Sequence, residues 1–481
     1  MNYNKLIIHF FIAIGLFSCN SGDQKKASDL QKPNILFVFT DQQTINAMSC
    51  SGNSFLETPA MDYLAKTGVR FEQSYCTSPV CAPARSSFIT SRMPHETGYD
   101  FNLSPRDEIC DIKFPNMGEL FREEGYRTVW GGKWHLPESY PLRRESTQGA
   151  IPGFEILPFY DSTVNYPEWG YGDTTDTYLA DAAVSFIENY DDAKPFLLTV
   201  SFCNPHDICF IPLKPDRYPH RENAEELPPL PANLEIIQDE PELIQKRRVL
   251  DYYGDEIIFT KDYDEADWQN YIDHYYRMTE RVDVEIGRVI NALKEKSLEE
   301  NTLIIFTSDH GDGAGSHRWA SKLNLYEESV KVPFIISWKG VITPGINQSL
   351  ISGLDVLPTM CDYAGIDISI DFLGKSLRPL IENQEADADG FIITELAIDP
   401  KDPSWKGRMI RMNQYKYNLY SKGERNEQLF DLDIDPGEMK NLAYDPDFLE
   451  VKELLHGRLV KWMEETDDDF LEFCNNLQQN S

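Results

Sequence analysis

Short apolar runs recur along the chain, and several of them end abruptly in polar or glycine-rich residues. Short runs of this kind predict buried β-strands. Apolar residues also recur at the spacing of one helix face, most clearly over residues 275–293. Strands that alternate with helices predict a large, mostly parallel sheet that is covered by helices on both faces. The strands predicted to end in polar residues are 35–39, 128–130, 196–202 and 303–306.

The pattern changes after Gly365. Residues 415–420 alternate as in a half-exposed antiparallel strand, residues 428–432 predict a second strand, and a helix is expected from about 448 to 464. We therefore predict an α/β fold, with a large mixed, mostly parallel sheet sandwiched by helices in a domain over residues 33–370. A smaller C-terminal subdomain over residues 371–481 would hold an antiparallel sheet and a helix.

The first 32 residues form a separate unit. The apolar run 6–17 is too short to span a membrane and is typical of a secretory signal. Ser18 and Cys19, which follow it, resemble the end of a bacterial lipobox. We predict a lipoprotein signal peptide over 1–18, a tether over 19–32 and export to the periplasm or cell surface. Asn20 favours an outer-membrane anchor through a lipid on Cys19. The alternative is an ordinary cleaved signal.

The charge of the chain limits its partners. It carries 45 basic and 79 acidic residues, for a formal net charge of −34. This balance argues against a nucleic-acid partner, because neutralising phosphates requires a basic surface. An anionic substrate would need a locally basic pocket within the acidic surface.

Two of the predicted strands end in candidate metal ligands. In open α/β sheets, ligands bind beyond the carboxyl ends of the strands. Asp41 and Gln42 follow the first strand, and Asp309 and His310 follow a later one. Carboxylate and carbonyl oxygens are the donors that a hard cation requires. Each pair alone would be unremarkable as a turn or cap, but the two pairs together predict a metal site.

Basic residues lie at comparable positions. Lys133 and His135 follow one strand, His206 follows another, and Lys322 lies in a separate loop. Such residues could form a cationic cradle for an anion, and histidine is suited to proton transfer near neutral pH. Two further histidines are weaker candidates for contacts with a substrate: His95 and His317.

Cys81 precedes a predicted helix start, with Pro83 in the first turn, where the missing N–H is tolerated. A helix N-terminus favours anions, and Arg85 adds a guanidinium one turn further along. By itself the cysteine could be either a reactive group that faces an anionic substrate or a small buried thiol. The ligand-bearing strand ends favour the reactive interpretation.

With these residues identified, the chain resembles the formylglycine-dependent sulfatases of the alkaline phosphatase superfamily. Residues 81–92, Cys-Ala-Pro-Ala-Arg-Ser-Ser-Phe-Ile-Thr-Ser-Arg, resemble the family signature C-x-P-x-R and its helical tail. The resemblance extends from about Pro33 to Leu442. It includes the blocks Gly-Lys-Trp-His at 132–135, Asn-Pro-His at 204–206, Ser-Asp-His-Gly at 308–311, Tyr-Glu-Glu at 326–328 and Leu-Phe-Asp-Leu at 429–432.

The resemblance implies a reaction and its participants. A maturation enzyme would convert Cys81 to formylglycine, whose hydrate would attack the sulfur of a sulfate ester with help from Arg85 and a cation. His206 would protonate the leaving oxygen, and His135 would assist the release of sulfate. Lys133 and Lys322 would hold the sulfate oxygens. The expected cation is Ca²⁺, with Mg²⁺ or Mn²⁺ as alternatives, bound by Asp41, Gln42, residue 81, Asp309 and His310.

The resemblance leaves an alternative open. Many sulfatases carry two adjacent aspartates and a later Asp-Asn pair, whereas this chain has Asp41-Gln42 and Asp309-His310. These pairs also resemble those of phosphonate monoester hydrolases, which often use a transition metal. We expect a sulfatase that acts on a sulfated glycosaminoglycan, mucin or algal glycan. The alternatives are a phosphonate or phosphodiester hydrolase and a non-catalytic protein that binds sulfated glycans.

Overall fold

A computed structural model describes most of the chain. The predicted signal peptide and all of the predicted tether except Lys32 lie outside the described residues. The described residues are 32–102, 113–136, 151–157, 172–213, 227–248, 260, 262–367, 371–383, 390–398, 402 and 404–474.

A large mixed sheet organises the main domain. Its strand order is β4-β3-β5-β1-β6-β7-β2-β8, and every neighbouring pair is parallel except the two pairs that involve β7. The four strands predicted to end in polar residues are confirmed as β1, β3, β5 and β6, and all four run parallel. The strands of this sheet are β1 Asn34–Asp41, β2 Gly68–Tyr75, β3 Arg127–Gly132, β4 Glu155–Ile156, β5 Phe196–Pro205, β6 Thr302–Ser308, β7 Phe334–Ser337 and β8 Gly345–Ser352.

Helices cover both faces of this sheet, as predicted. Successive side chains of a strand point to opposite faces, so β1 contributes Phe37 and Phe39 to one apolar core and Leu36 and Val38 to the other. The helices of the main domain are α1 Pro59–Thr67, α2 Cys81–Thr90, α3 Pro94–Thr97, α4 Met117–Glu123, α5 Gly172–Glu188, α6 Glu242–Arg248, α7 Glu265–Glu295, α8 Glu327–Val330 and α9 Val356–Ala364.

A second, antiparallel sheet lies towards the C-terminus, as predicted. Its strand order is β12-β11-β10-β9, and the predicted terminal helix packs apolar residues such as Leu455 and Leu459 against it. Its elements are α10 Arg378–Asn383, β9 Phe391–Ala397, β10 Lys406–Met412, β11 Tyr415–Tyr420, β12 Glu427–Asp431 and α11 Leu449–Glu465.

Among the described residues, no helix is both long enough and apolar enough to cross a membrane. The cysteines in the described ranges are free thiols, namely Cys50, Cys76, Cys81, Cys203, Cys209, Cys361 and Cys474.

Candidate active site

The site lies at the carboxyl ends of two neighbouring parallel strands. β1 and β6 pair in register, with Thr40 opposite Ser308, so the residues that follow them emerge side by side. The backbone N–H of Gln42 donates to Oδ1 of Asp309 at 3.0 Å, which ties the two strand ends together. Asp41, Gln42, Asp309 and His310 are all completely buried. The predicted convergence of these four residues is therefore observed.

Cys81 faces this cluster from the first residue of α2. Its side chain is fully buried, and the Lys322 ammonium donates a hydrogen bond to its sulfur at 2.9 Å. The sulfur is 3.2 Å from His310 Nε2 and 3.6 Å from Asp41 Oδ1, and the Lys133 ammonium lies 3.8 Å away. The cysteine is thus buried and also surrounded by charged groups, so the two interpretations of the sequence do not exclude each other.

Arg85 holds the two carboxylates in place. Its Nε donates to Asp309 at 2.8 Å, and its Nη2 donates to Asp41 at 2.8 Å. Its Nη1 donates to the backbone carbonyl of Lys133 and to Ser201 Oγ at 2.9 Å. The guanidinium therefore connects α2 with the ends of β1, β3, β5 and β6, which fixes the carboxylates before any ligand binds.

Electrostatics favour anionic groups at this site. Burial and Asp41 act to raise the pKa of the Cys81 thiol, but Lys133, Lys322 and His310 outweigh them and lower it well below its usual value. Burial likewise raises the pKa of Asp41, yet Lys133 and other cations hold that pKa well below its usual range. Three side-chain cations, on Arg85, Lys133 and Lys322, face two carboxylates. The pocket is locally basic within an acidic protein.

The donor set fits a metal ion. Asp41, Cys81, Asp309 and His310 each offer a ligand atom, and these atoms all lie within 4.8 Å of one another. His310 Nδ1 lies 2.9 Å from the Gly311 carbonyl, which can only accept, so Nδ1 must carry the proton. In the neutral ring Nε2 then presents its lone pair towards the cluster, as a metal ligand requires.

Gln42 is the remaining predicted ligand, and its side chain contacts residues outside the predicted ligand set. Its amide nitrogen donates to Asp312 at 2.7 Å, and the Cys209 thiol donates to its carbonyl oxygen at 3.3 Å. Its backbone N–H, as noted, bonds to Asp309. The residue lies at the predicted position, and its carboxamide is oriented by groups outside the predicted site.

The two predicted proton-transfer residues are buried near the lysines. His135 lies three residues after β3, which ends at Gly132, and His206 directly follows β5. Burial first and the Lys133 charge second lower the pKa of His135 to about 4 and also lower the pKa of His206. Gly132 has a φ of +89°, and a Cβ there would lie 2.0 Å from the Ser201 carbonyl oxygen, so this turn requires glycine.

The two weaker candidates lie in other clusters. His95 contacts Glu395 and the Thr466 carbonyl, while His317 stacks on Tyr326 with ring centroids 3.8 Å apart. Both are well buried, and the described contacts bring neither of them to Cys81. The structure therefore does not join them to the predicted substrate site, because His95 contacts the C-terminal subdomain and His317 stacks on Tyr326, which directly precedes α8.

Sequence reasoning missed three residues beside the site: Ser201, Cys209 and Asp312. Asp312 is fully buried and lies two residues after His310. Its sequence context, Gly-Asp-Gly at 311–313, contained a signal, because glycines on both sides of an aspartate allow a tight turn that returns the carboxylate to the strand end. Ser201 and Cys209 offered no such signal.

Comparisons with known proteins agree with this geometry. The Delta 4,5-hexuronate-2-O-sulfatase of Bacteroides thetaiotaomicron is 29% identical and aligns over 95% of this chain and 93% of its own. A solved structure of a 2-O GAG sulfatase superposes with a TM-score of 0.79 at 28% identity, covering 92% of this chain and 94% of the other. The phosphonate monoester hydrolase of Agrobacterium radiobacter shares the fold, with a TM-score of 0.73 at 23% identity and coverage of 90% and 96%.

Two family profiles match the chain itself. The profile of N-sulphoglucosamine sulphohydrolase, C-terminal, covers residues 315–465. The Sulfatase profile covers residues 33–366, which include the whole large sheet and every residue of the metal-binding candidate set. This match spans more than half of the length of the chain, so the chain belongs to the sulfatase family.

Proposed function

We propose that this protein hydrolyses sulfate esters of a sulfated carbohydrate through a formylglycine formed from Cys81. The observation that carries the proposal is the position of Cys81, which begins α2 within 3.6 Å of Lys322, His310 and Asp41. A carbohydrate substrate is supported by the names of two similar sulfatases, of which one is named for a hexuronate and the other for a GAG. A glycosaminoglycan, mucin or algal glycan fits this proposal.

Asp41, Gln42, residue 81, Asp309 and His310 would hold the metal ion. We propose Ca²⁺, with Mg²⁺ or Mn²⁺ as alternatives, because most of these donors are oxygens. When bound, the ion would favour ionisation of a hydroxyl beside it and polarise a sulfate oxygen.

The two lysines would receive the sulfate group. Lys133 donates to Asp41 at 2.6 Å and Lys322 donates to Cys81 at 2.9 Å, so both ammonium groups are fixed beside the reacting residue. Charges fixed in advance stabilise developing negative charge without reorganisation. The formylglycine side chain would supply a hydroxyl nucleophile that the unmodified thiol lacks.

His206 would donate a proton to the leaving oxygen, and His135 would accept one when sulfate is released. Burial and Lys133 keep both imidazoles neutral near pH 7 by lowering the pKa of each. A sulfate ester bound between the lysines adds negative charge, which raises the pKa of both imidazoles towards the range that suits acid–base catalysis.

A phosphonate or phosphodiester hydrolase is the second candidate. It is favoured by His310, whose imidazole suits a transition metal better than Ca²⁺, and by the shared fold of the phosphonate monoester hydrolase. A non-catalytic protein that binds sulfated glycans would have no need of a cysteine at position 81.

Two measurements on one preparation separate these candidates. The protein is produced together with a formylglycine-generating enzyme, and the mass of the peptide with Cys81 is determined. Turnover is then compared on sulfated glycosaminoglycan disaccharides, on phosphodiesters and on phosphonate monoesters. Replacement of sulfur by an aldehyde oxygen with preferred sulfate release supports the proposal. An unmodified thiol without turnover would favour the binding protein, and preferred phosphonate hydrolysis would favour the second candidate.

Export as an outer-membrane lipoprotein is part of the same proposal. An anchored enzyme suits a polymeric substrate outside the cell, and Cys19 would bear the lipid. In a bacterial host, wild-type protein is expected in the membrane fraction and Cys19→Ala protein in a soluble or unprocessed form. Processed wild-type protein in the soluble fraction would argue for an ordinary cleaved signal.

A further inference from the structure

Five buried or partly buried residues form a closed ring of hydrogen bonds beside the metal-binding candidates, through four side chains and, at Ser321, through both the backbone N–H and the hydroxyl. Asp312 accepts from the Gln42 amide at 2.7 Å and from the Tyr271 hydroxyl at 3.1 Å. The Tyr271 hydroxyl in turn accepts from the backbone N–H of Ser321 at 3.0 Å. Cys209 completes the ring, because its sulfur lies 3.4 Å from Ser321 Oγ and 3.3 Å from the Gln42 carbonyl oxygen.

The members of this ring adjoin the proposed site residues in sequence. Gln42 follows Asp41, Asp312 comes two residues after His310, and Ser321 precedes Lys322. Cys209 comes three residues after His206, whereas Tyr271 belongs to the long helix α7. The ring therefore links four segments that carry proposed site residues to one rigid helix.

Asp312 fixes the orientation of the Gln42 carboxamide. A carboxylate only accepts hydrogen bonds, so the Gln42 atom 2.7 Å from it is the NH₂ group and not the oxygen. The Ala314 N–H donates to the same carboxylate at 2.7 Å, and Tyr271 adds a third donor, so the carboxylate itself cannot turn freely. The carboxamide oxygen is the other arm of the amide, and the Cys209 sulfur contacts both arms, 3.2 Å from the nitrogen and 3.3 Å from the oxygen. An amide oxygen has two lone pairs, of which the Cys209 thiol can use one.

We propose that Asp312 is a positioning residue of the metal site: it holds the amide of Gln42 so that the carboxamide oxygen is available as a ligand. This inference rests on the proposed metal site and on Gln42 as one of its ligands. Partners that orient a ligand in this way typically change metal affinity ten- to a hundredfold when they are removed. The inference concerns affinity for the ion and does not depend on the conversion of Cys81.

Metal affinity of the unmodified protein tests the inference. The full chain is produced without a maturation enzyme, stripped with a chelator and titrated calorimetrically with Ca²⁺ and, separately, with Mn²⁺. Asp312→Asn is expected to weaken binding of the ion by about ten- to a hundredfold. Asp283→Asn is the matched control, since Asp283 is equally buried but caps α1 through Ala60 and Met61. The control should bind the ion as the wild type does.

A double-mutant cycle separates positioning from a general structural role. Gln42→Met removes the proposed ligand at similar size. If Asp312 acts through Gln42, Asp312→Asn should weaken binding in the wild type and cause no further loss in the Gln42→Met background. An equal loss in both backgrounds would overturn the inference, because Asp312 would then act on the loop that carries His310. Binding unchanged by Asp312→Asn would also overturn it.

Folding failure does not block the test. If Asp312→Asn does not fold, Tyr271→Phe removes only the hydroxyl that bonds to Asp312 and Ser321, and it should weaken the affinity severalfold with the same dependence on Gln42. A wild type that binds neither ion would overturn this inference together with the proposed metal site. Sulfate release by the matured wild type with unchanged affinities in the variants would overturn this inference and leave the proposed function standing.

Discussion

Two buried clusters of this molecule contain the same kinds of residue and differ in their charge balance. The Cys81 cluster comprises Cys81, Asp41, Asp309, His310, Arg85, Lys133 and Lys322, and the His95 cluster comprises His95, Glu395, Arg408 and Asp468. Each combines a histidine with two carboxylates and an arginine. Residue types alone would therefore mark both as candidate metal sites.

The partners of each charge separate the two clusters. Arg408 forms a two-pronged pair with Asp468 at 2.7 and 2.8 Å. The His95 imidazole bonds directly to the carboxylate of Glu395, which lies on β9. Two cations thus match two anions. In the Cys81 cluster, once residue 81 is an uncharged formylglycine in place of the cysteine, three side-chain cations face two carboxylates, and Lys322 is directed at that residue. An unbalanced cluster is built to receive an anion, whereas a balanced one stabilises the fold.

Removal of the reacting residue is the most direct test of the Cys81 cluster. Cys81→Ala leaves no side chain that can become an aldehyde, so sulfate release should fall by at least about a thousandfold. Thermal unfolding should remain cooperative. Cys361→Ala, at another buried thiol in the apolar core, serves as the control and should retain activity. An active Cys81→Ala enzyme would contradict the mechanism.

A substitution in the His95 cluster should change the stability of the protein rather than its activity. Asp468→Ala leaves the buried Arg408 guanidinium without its paired carboxylate, which should cost about 3–5 kcal/mol of unfolding free energy. Urea denaturation measures this loss. Asp469→Ala removes the neighbouring, exposed carboxylate that pairs with Lys406 and should change stability by less than about 1 kcal/mol. Equal effects of the two substitutions would show that burial does not decide the outcome.

Removing one cation from the Cys81 cluster should lower kcat/KM strongly. Lys322→Met eliminates an ammonium group fixed against residue 81, and kcat/KM for a sulfated sugar should fall about 100- to 1,000-fold. Lys339→Met is the control, because Lys339 is half exposed and pairs with Glu299. A Lys322→Met enzyme with unchanged kcat/KM would show that the lysine only balances charge.

The sequence predicted the elements of the site better than its side-chain partners. Strand ends can be located because apolar runs stop sharply, so the sequence predicts Asp41 and Asp309 at one edge of the sheet. Cys81 was placed at a helix start for a similar local reason, since Pro83 and the following residues favour a first turn. These predictions depend on features that lie close together along the chain.

Contacts between distant segments were not predictable in this way. His95 follows the Cys81 helix within a few residues, which suggested a role in the substrate site. The structure instead pairs it with Glu395, which lies 300 positions away. Asp312 was overlooked although its Gly-Asp-Gly context indicates a turn, because nothing near it in sequence pairs it with Gln42, which lies 270 positions away. Periodicity locates an element, but it does not show which side chain of another element will meet it.

The His95 cluster should also make the unfolding free energy depend on pH. Burial lowers the pKa of His95, but Glu395 and then Asp468 outweigh it and raise that pKa to about 9. Both ring nitrogens have acceptors, Glu395 and the Thr466 carbonyl, as a charged imidazole requires. A pKa raised in the folded state stabilises the protein fully below the unfolded value of about 6.5 and is lost as the pH rises through about 9.

The His95→Gln variant isolates this contribution. The wild type should exceed the variant in unfolding free energy, and this difference should shrink by about 2–3 kcal/mol between pH 6.5 and pH 9. Urea denaturation at the two pH values measures the change. Glu395 and Asp468 favour the protonated form of His95, so the difference should fall as the pH rises. A difference that grows with pH would mean that His95 is neutral when folded, and the cluster would then be unbalanced by one negative charge.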